Sequence, residues 1–246
     1  MQTYIQTEPL GTTELDIQTF RTLAAWRKSK YSTEGDPLRI LHFQRLLREV
    51  AYLPTGDYIE MGTQHGGTAK IIFDLMVPGA ELFCFDTFTG FDAKDLEIES
   101  TVYEHGFTTE SIPYTNIDIA RETILGEGKT SDRLTLVPGR VPQSLPPFAG
   151  RRWRFAHLDM DLYEPTKRGL EWLWPRLEPG AAILLHDYDA LPSVRKAVDE
   201  FSRPKGLVAS PLSDRFGSAV FFKPPADGFL PTFSRRVKRR LRRLFS

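Results

Sequence analysis

The stretch DYIEMGTQHGGT, residues 57–68, joins a short apolar strand to a glycine-rich turn. The run from Asp57 to Gly62 predicts a buried strand, and the pattern from Thr68 to Met76 predicts a helix directly after the turn. Glycines in such a turn let the backbone approach a ligand, and the free amides at the start of the helix face it. The stretch therefore predicts a strand–turn–helix unit suited to binding a cofactor.

Strands and helices alternate along the rest of the chain. Apolar runs predict strands at residues 81–85, 133–137, 153–158 and 181–185, helices at 117–125, 165–177 and 193–202, and an antiparallel edge ribbon from 207–212 and 218–222. Alternation of this kind implies parallel pairing through right-handed crossovers. The expected fold class is α/β, with a doubly wound, mostly parallel, seven-stranded sheet of Rossmann-like type.

The chain is expected to have three regions. Residues from about Thr13 to Tyr52 are helical in character, and residues 1–52 are expected to form an N-terminal helical cap. Residues 53–224 form the expected cofactor-binding domain, in which residues 87–114 lack periodicity and predict an ordered or closing loop over the site. Residues 225–246 form a strongly basic C-terminal tail.

The composition is that of an ordinary globular protein, since 41% of the 246 residues are hydrophobic and 26% are charged. The formal net charge of zero conceals an acidic body, because the tail is cationic. The single cysteine, Cys84, cannot form an intrachain disulfide, which favours a reducing compartment. The N-terminus does not resemble a signal peptide, and no apolar run is long enough to span a membrane. We therefore expect a cytoplasmic location.

The acid at the end of the second predicted strand bears on which cofactor the turn binds. Asp86 follows the turn at a separation typical of an acid that binds the ribose hydroxyls of an adenosine-containing cofactor. From Glu60 to Gly67 the turn reads Glu-x-Gly-x-x-x-Gly-Gly, which differs from the glycine pattern of a pyrophosphate cradle. This favours S-adenosylmethionine over a dinucleotide. The alternative is a purely structural turn, with Asp86 capping the loop that follows.

Two acidic clusters follow the fourth and fifth predicted strands. Asp159 and Asp161 come after the fourth strand, and His186 and Asp187 after the fifth. Because neighbouring parallel strands lie about 5 Å apart and end at one edge, these side chains are expected to meet over one crevice. Grouped carboxylates need a cation or proton, and oxygen ligands suit Mg, Ca or Mn, whereas an imidazole favours Mn, Fe or Zn. The alternative is that the acids cap the following helices, as we expect of Asp189.

Six segments, taken in order, resemble the macrocin-type O-methyltransferases, which methylate sugar hydroxyls in antibiotic biosynthesis. They are YIEMGTQHGG (58–67), FDTFTGF (85–91), LDMDLYEPT (158–166), LEPG (177–180), HDY (186–188) and RKAVDEF (195–201). The resemblance implies a class I methyltransferase fold, S-adenosylmethionine as cofactor and a divalent metal.

The resemblance also implies which residues contact the cofactor. The glycine turn would bind its methionine part through Glu60, Gly62 and Gly66, and Asp86 would hold the ribose. The remaining expected cofactor contacts are Thr63, Thr87, Gly139 and Asp159.

By the same resemblance, Asp159, His186 and Asp187 hold the metal, with Mg expected first and Mn second. Asp161 and His186 are the expected catalytic residues, Asp161 as general base. The family usually has an acidic pair where this chain has His186 and Asp187, so the metal set here is less anionic.

The expected acceptor is a hydroxyl of a sugar, glycoside or related small molecule. Such a hydroxyl is a poor nucleophile near neutral pH, so a metal and a base are expected to remove its proton. One alternative is a non-catalytic protein that keeps the cofactor fold as a binding module. Others are a methyltransferase acting on a membrane-linked glycan or on RNA, although the body lacks the basic, aromatic patch typical of nucleic-acid binding.

The tail places Phe233, Val237, Leu241 and Leu244 at helical spacing among arginines and lysines. It predicts a basic amphipathic helix, which would dock on an anionic membrane, contact nucleic acid or remain solvated. Peripheral membrane contact and, from the resemblance, a homo-oligomer are the expected interactions.

Overall fold

The computed structural model describes residues 37–112 and 116–224. Its strands are β1 (Asp57–Met61), β2 (Leu82–Asp86), β3 (Leu134–Pro138), β4 (Trp153–Leu158), β5 (Leu177–Leu185), β6 (Ser210–Pro211) and β7 (Ala219–Phe222). Its α-helices are α1 (Pro37–Ala51), α2 (Gly67–Leu75), α3 (Ala93–Val102), α4 (Ile117–Leu125), α5 (Tyr163–Leu173) and α6 (Pro192–Ser202).

The seven strands form one sheet in the order β3-β2-β1-β4-β5-β7-β6. The first five are parallel to one another, whereas β7 runs antiparallel to β5 and β6 antiparallel to β7. The expected fold class is therefore confirmed, including the edge ribbon. The strand order reverses between β1 and β4, which is where ligands bind in sheets of this type.

The central strands lie in the hydrophobic core. Every residue of β4 is buried, as are Tyr58, Ile59 and Met61 of β1, because helices cover both faces of the sheet. Met61 lies opposite Phe85 of β2 and Leu158 of β4, and Leu158 lies opposite Leu185 of β5. The carboxyl ends of four strands are therefore level, and the residues that follow them share one edge.

Helix α1 packs against the sheet through an apolar stripe. The ring of Phe43 lies 6.0 Å from Phe155 and 4.8 Å from His157, both on β4. The helical character expected for the N-terminal region is confirmed for residues 37–51, while residues 1–36 lie outside the described part of the chain. The expected boundaries at residues 52 and 224 remain predictions.

The region expected to be a closing loop, residues 87–114, contains the helix α3. Asp92 caps this helix by accepting a hydrogen bond of 2.9 Å from the amide of Lys94. The loop prediction was thus wrong for residues 93–102, because a capped helix with weak amphipathicity leaves little periodic signal. Among the described residues, no helix combines the length and apolar character needed to cross a membrane.

Candidate active site

A cavity of about 300 Å³ lies at the carboxyl ends of β1, β2, β4 and β5. Eight residues expected at the site line it: Gly62, Thr63, Asp86, Thr87, Asp159, Asp161, His186 and Asp187. The structure thus brings the expected cofactor turn and both acidic clusters to one hollow.

Three expected cofactor contacts do not line this cavity. Glu60 is fully buried in β1 and bonds His157, with 2.9 Å between Oε1 and Nδ1. A side chain on Gly66 would press against the carbonyl oxygen of Ala120 at 2.9 Å, so this glycine allows α2 to approach α4. Gly139 adjoins the lining residues after β3. Cofactor contact by these three remains a prediction.

Gly62 fixes the geometry of the cofactor turn. Its φ is +88°, and a Cβ there would lie 1.8 Å from the carbonyl oxygen of Asp159. The backbones interlock at this point, since the amide of Gly62 donates to Phe85 and that of Asp159 to Met61. Only glycine allows the ends of β1 and β4 to approach this closely.

Asp86 connects the cofactor turn to the loop after β2. Its Oδ2 accepts a hydrogen bond of 2.8 Å from the amide of Gln64, and its Oδ1 accepts one of 2.7 Å from the amide of Phe88. The capping alternative is therefore realised. Oδ2 can still accept a further hydrogen bond, so capping does not prevent Asp86 from binding hydroxyls in the cavity that it lines.

The two acidic clusters meet as the strand spacing predicts. His186 Nδ1 lies 2.7 Å from Asp159 Oδ1 and 2.8 Å from Asp187 Oδ2, and one ligand atom from each residue lies within 4.8 Å of the others. Helix capping is not the role of these acids. The N-cap residues of α5 and α6 are Leu162 and Leu191, and neither makes a side-chain capping hydrogen bond, so the prediction that Asp189 caps its helix is wrong.

The donor set fits a divalent cation. His186 is 8% exposed, and its Nδ1 makes no hydrogen bond of acceptable geometry with any described residue, although two carboxylate oxygens lie beside it. A buried nitrogen directed between two carboxylates is an arrangement that a metal would complete. Two carboxylates and one imidazole suit Mg or Mn, and the imidazole favours Mn of the two.

Charge within the cluster shifts the pKa values of two aspartates. Burial, followed by the negative charges of Asp159 and Asp187, raises the pKa of Asp161 well above its usual range. Burial acts in the same direction on Asp159, but the neighbouring His186 imidazole outweighs it and lowers the pKa of Asp159. Of these two aspartates, Asp161 therefore has the stronger tendency to take up a proton.

Backbone strain is concentrated around the cavity. Among the described residues, the non-glycine residues with positive φ are Gln64, Phe88, Asp161 and Asp187, with values from 49° to 62°. Each lies just after β1, β2, β4 or β5. Strained backbone that persists at the ends of four strands is typical of a site in which side-chain direction is fixed for function.

Residues that sequence reasoning missed also line the cavity: Arg39 of α1, Arg140 after β3 and Phe216 before β7. Arg39 had a detectable signal, because it lies four residues before Phe43 on the apolar stripe of α1, where a charged side chain is unusual. Arg140 and Phe216 had none, since both lie in irregular segments.

The strand order, the glycine turn after β1 and the acids after β4 and β5 define a class I methyltransferase. A family model described as macrocin-O-methyltransferase (TylF) matches residues 8–224. The chain belongs to this family and is an S-adenosylmethionine-dependent O-methyltransferase.

Relatives and solved structures agree with this assignment. The 8-demethyl-8-(2,3-dimethoxy-alpha-L-rhamnosyl)-tetracenomycin-C 4'-O-methyltransferase of Streptomyces olivaceus is 28% identical over 180 residues, covering 70% of this chain and 67% of the relative. The mycinamicin III 3''-O-methyltransferase of Micromonospora griseorubida is 24% identical over 161 residues, covering 62% of each. The chain thus spans about two thirds of the length of these relatives.

Among solved structures, the O-methyltransferase NovP has a TM-score of 0.64 at 19% identity, covering 76% of this chain and 80% of NovP. The calicheamicin methyltransferase CalS11 has a TM-score of 0.62 at 21% identity, covering 86% of this chain and 93% of CalS11. At these identities the likeness concerns the fold.

Proposed function

We propose that this protein transfers the methyl group of S-adenosylmethionine to a hydroxyl of a sugar attached to a small natural product, with the help of a divalent cation. The observation that carries the proposal is the single cavity shared by the glycine turn, Asp86 and the Asp159–His186–Asp187 cluster. The names of both curated relatives, one of which includes a rhamnosyl group, support an acceptor of this class.

The cofactor half of the cavity is assigned to β1 and β2. The backbone of the turn after Gly62 would bind the methionine part, and Asp86 would accept hydrogen bonds from the ribose. Because both elements are held by hydrogen bonds in this structure, they are preorganised and lose little entropy on binding.

The acceptor half is assigned to β4 and β5. Asp161 takes the proton of the acceptor hydroxyl while the oxygen attacks the methyl carbon and the carbon–sulfur bond breaks. Burial, the largest cause of the raised pKa of Asp161, makes it a stronger base than an ordinary aspartate. Asp159, His186 and Asp187 would hold the cation, which when bound would lower the pKa of the hydroxyl and fix its position. His186 remains proposed as a catalytic residue through this role.

The remaining interactions stay predictions. The basic tail lies outside the described residues, so its expected membrane contact remains a prediction. A cytoplasmic location and assembly into a homo-oligomer also remain proposals.

Methyl transfer to a panel of acceptors tests the proposal. We expect the purified protein to move label from methyl-labelled S-adenosylmethionine to deoxysugar-bearing glycosides, and a chelator to reduce the rate about tenfold or more. RNA serves as the matched negative acceptor. Binding of S-adenosylhomocysteine without transfer to any hydroxyl would favour the binding-module alternative, and an unchanged rate after chelation would contradict the metal.

A further inference from the structure

Arg39 contacts the Asp159–His186–Asp187 cluster from helix α1, whereas the cluster itself lies in the loops after β4 and β5. It lies in the first turns of α1, is 6% exposed and lines the cavity. Burying a guanidinium is costly unless negative charge or acceptors compensate it, so its partners indicate its role.

The partners of Arg39 are two of the residues proposed to hold the cation. Its Nη1 is in hydrogen-bonding contact with His186 Nε2 and lies 4.0 Å from Asp159 Oδ2. The Phe216 ring covers the guanidinium, with its centroid 5.9 Å from the Arg39 Cζ. The arginine is therefore enclosed against the cluster and is shielded from solvent.

These contacts oppose cation binding. A guanidinium 4.0 Å from Asp159 Oδ2 repels a second cation, and burial weakens the screening. The same guanidinium also contacts His186, so it lies against two of the three residues that would hold the ion.

We propose that Arg39 is an internal competitor for the cation site, so that a divalent ion binds the Asp159–His186–Asp187 cluster only when the guanidinium withdraws. This inference rests on the cation site of the proposed function. Arg39 supplies the positive charge that the carboxylates need when no ion is bound, and it lowers the affinity of the cluster for the ion.

The affinity for Mn²⁺, measured by electron paramagnetic resonance, tests the proposal. Arg39→Met removes the charge and keeps an apolar side chain that suits the stripe of α1, so we expect Mn²⁺ to bind about tenfold more tightly or better, a gain of about 1.4 kcal/mol. Arg39→Lys keeps the charge and is expected to remain within about threefold of the unchanged protein. Arg45→Met is the matched control, because Arg45 lies on the same helix but is exposed, and its affinity should equal that of the unchanged protein.

A second measurement uses the unchanged protein and does not depend on a variant folding. Phenylglyoxal labelling followed by mass spectrometry reports access to each guanidinium. We expect saturating Mn²⁺ to accelerate labelling of Arg39 and to leave that of Arg45 unchanged.

Three results would overturn the proposal: equal or weaker Mn²⁺ binding by Arg39→Met, Mn²⁺ binding that leaves Arg39 labelling unchanged, or no Mn²⁺ binding by any form. The first two would leave the cation site intact, whereas the third would remove it as well. S-adenosylhomocysteine binding by the same samples reports separately on the proposed function, since it depends on the β1 and β2 half of the cavity.

Discussion

Asp161 combines three properties expected of a general base. It lines the cavity, its φ of 62° fixes an unusual direction for its side chain, and burial raises its pKa. Strain at a carboxylate is retained when the surrounding structure determines its position, and here that position is beside the proposed acceptor site.

Asp161→Asn should therefore lower kcat by about 100-fold or more, because the amide cannot accept the hydroxyl proton. Asparagine tolerates positive φ, so folding and the dissociation constant of S-adenosylhomocysteine should be preserved. The control is Asp189→Asn, which alters an exposed acid paired with Arg195 after β5 and should leave kcat unchanged. A kcat for Asp161→Asn near that of the unchanged protein would exclude Asp161 as the base.

Alanine substitutions at Gly62 and Gly79 distinguish the effect of a close backbone approach on stability from the effect of positive φ. Their φ values are +88° and +81°, but a Cβ on Gly62 meets the Asp159 carbonyl oxygen, while one on Gly79 meets no atom within 4 Å. Gly79→Ala should lower the free energy of unfolding by about 1–2 kcal/mol. Gly62→Ala should lower it by considerably more, because the ends of β1 and β4 must separate. If urea denaturation gave the same loss in free energy of unfolding for both variants, the close approach of β1 and β4 at Gly62 would contribute nothing to stability.

At the scale of single residues, the sequence predicted the position of the side chains that directly follow a strand. Asp86, Asp159, His186 and Asp187 could be placed because strand ends share one edge. Arg39 was detectable as a charge on an apolar stripe, but it could not be placed at the site, since 147 positions separate it from its partner His186.

At the scale of elements, α3 closes one side of the cavity through buried charges. Arg140 after β3 lies 2.5 Å from Asp95 of α3, and Asp95 is 5% exposed. Glu99 of the same helix accepts a 2.7 Å hydrogen bond from the amide of Tyr163, at the start of α5. These non-local contacts hold α3, which explains why its helical state was not predicted from its own sequence.

Arg140→Met should leave the Asp95 carboxylate buried without its partner and lower the free energy of unfolding by about 1–3 kcal/mol. The matched control is Arg121→Met, which removes an exposed ion pair of the same 2.5 Å length on α4 and should cost less than about 0.5 kcal/mol. Urea denaturation measures both. Similar losses for the two variants would indicate that the Arg140 pair contributes no more than a surface pair.

The observed bounds of helices and strands agree with the predicted ones where local sequence patterns determine them. The bounds of α4 and β4 agree with the sequence predictions at residues 117–125 and 153–158. In contrast, β5 begins at Leu177, four residues before the prediction, because Leu177 pairs with Trp153 of β4. Pairing with a distant segment overrode the turn signal of Pro179 and Gly180.

At the scale of the whole molecule, the alternation of strands and helices predicted a doubly wound sheet, but it did not specify the strand order. That order brings β1 and β2 beside β4 and β5, so that two halves of a site meet at the switch point. Helix α1 adds a charge to the same hollow from a layer outside the sheet. Its part in the site follows from tertiary packing that only the structure displays.

A crystal structure of the complex with S-adenosylhomocysteine would show whether the strand ends bind the cofactor. We expect the ligand to lie along the turn from Gly62 to Gln64, with its ribose hydroxyls on Asp86 and its sulfur facing Asp159 and Asp161. A ligand bound away from these strand ends, or with its ribose remote from Asp86, would contradict this expectation.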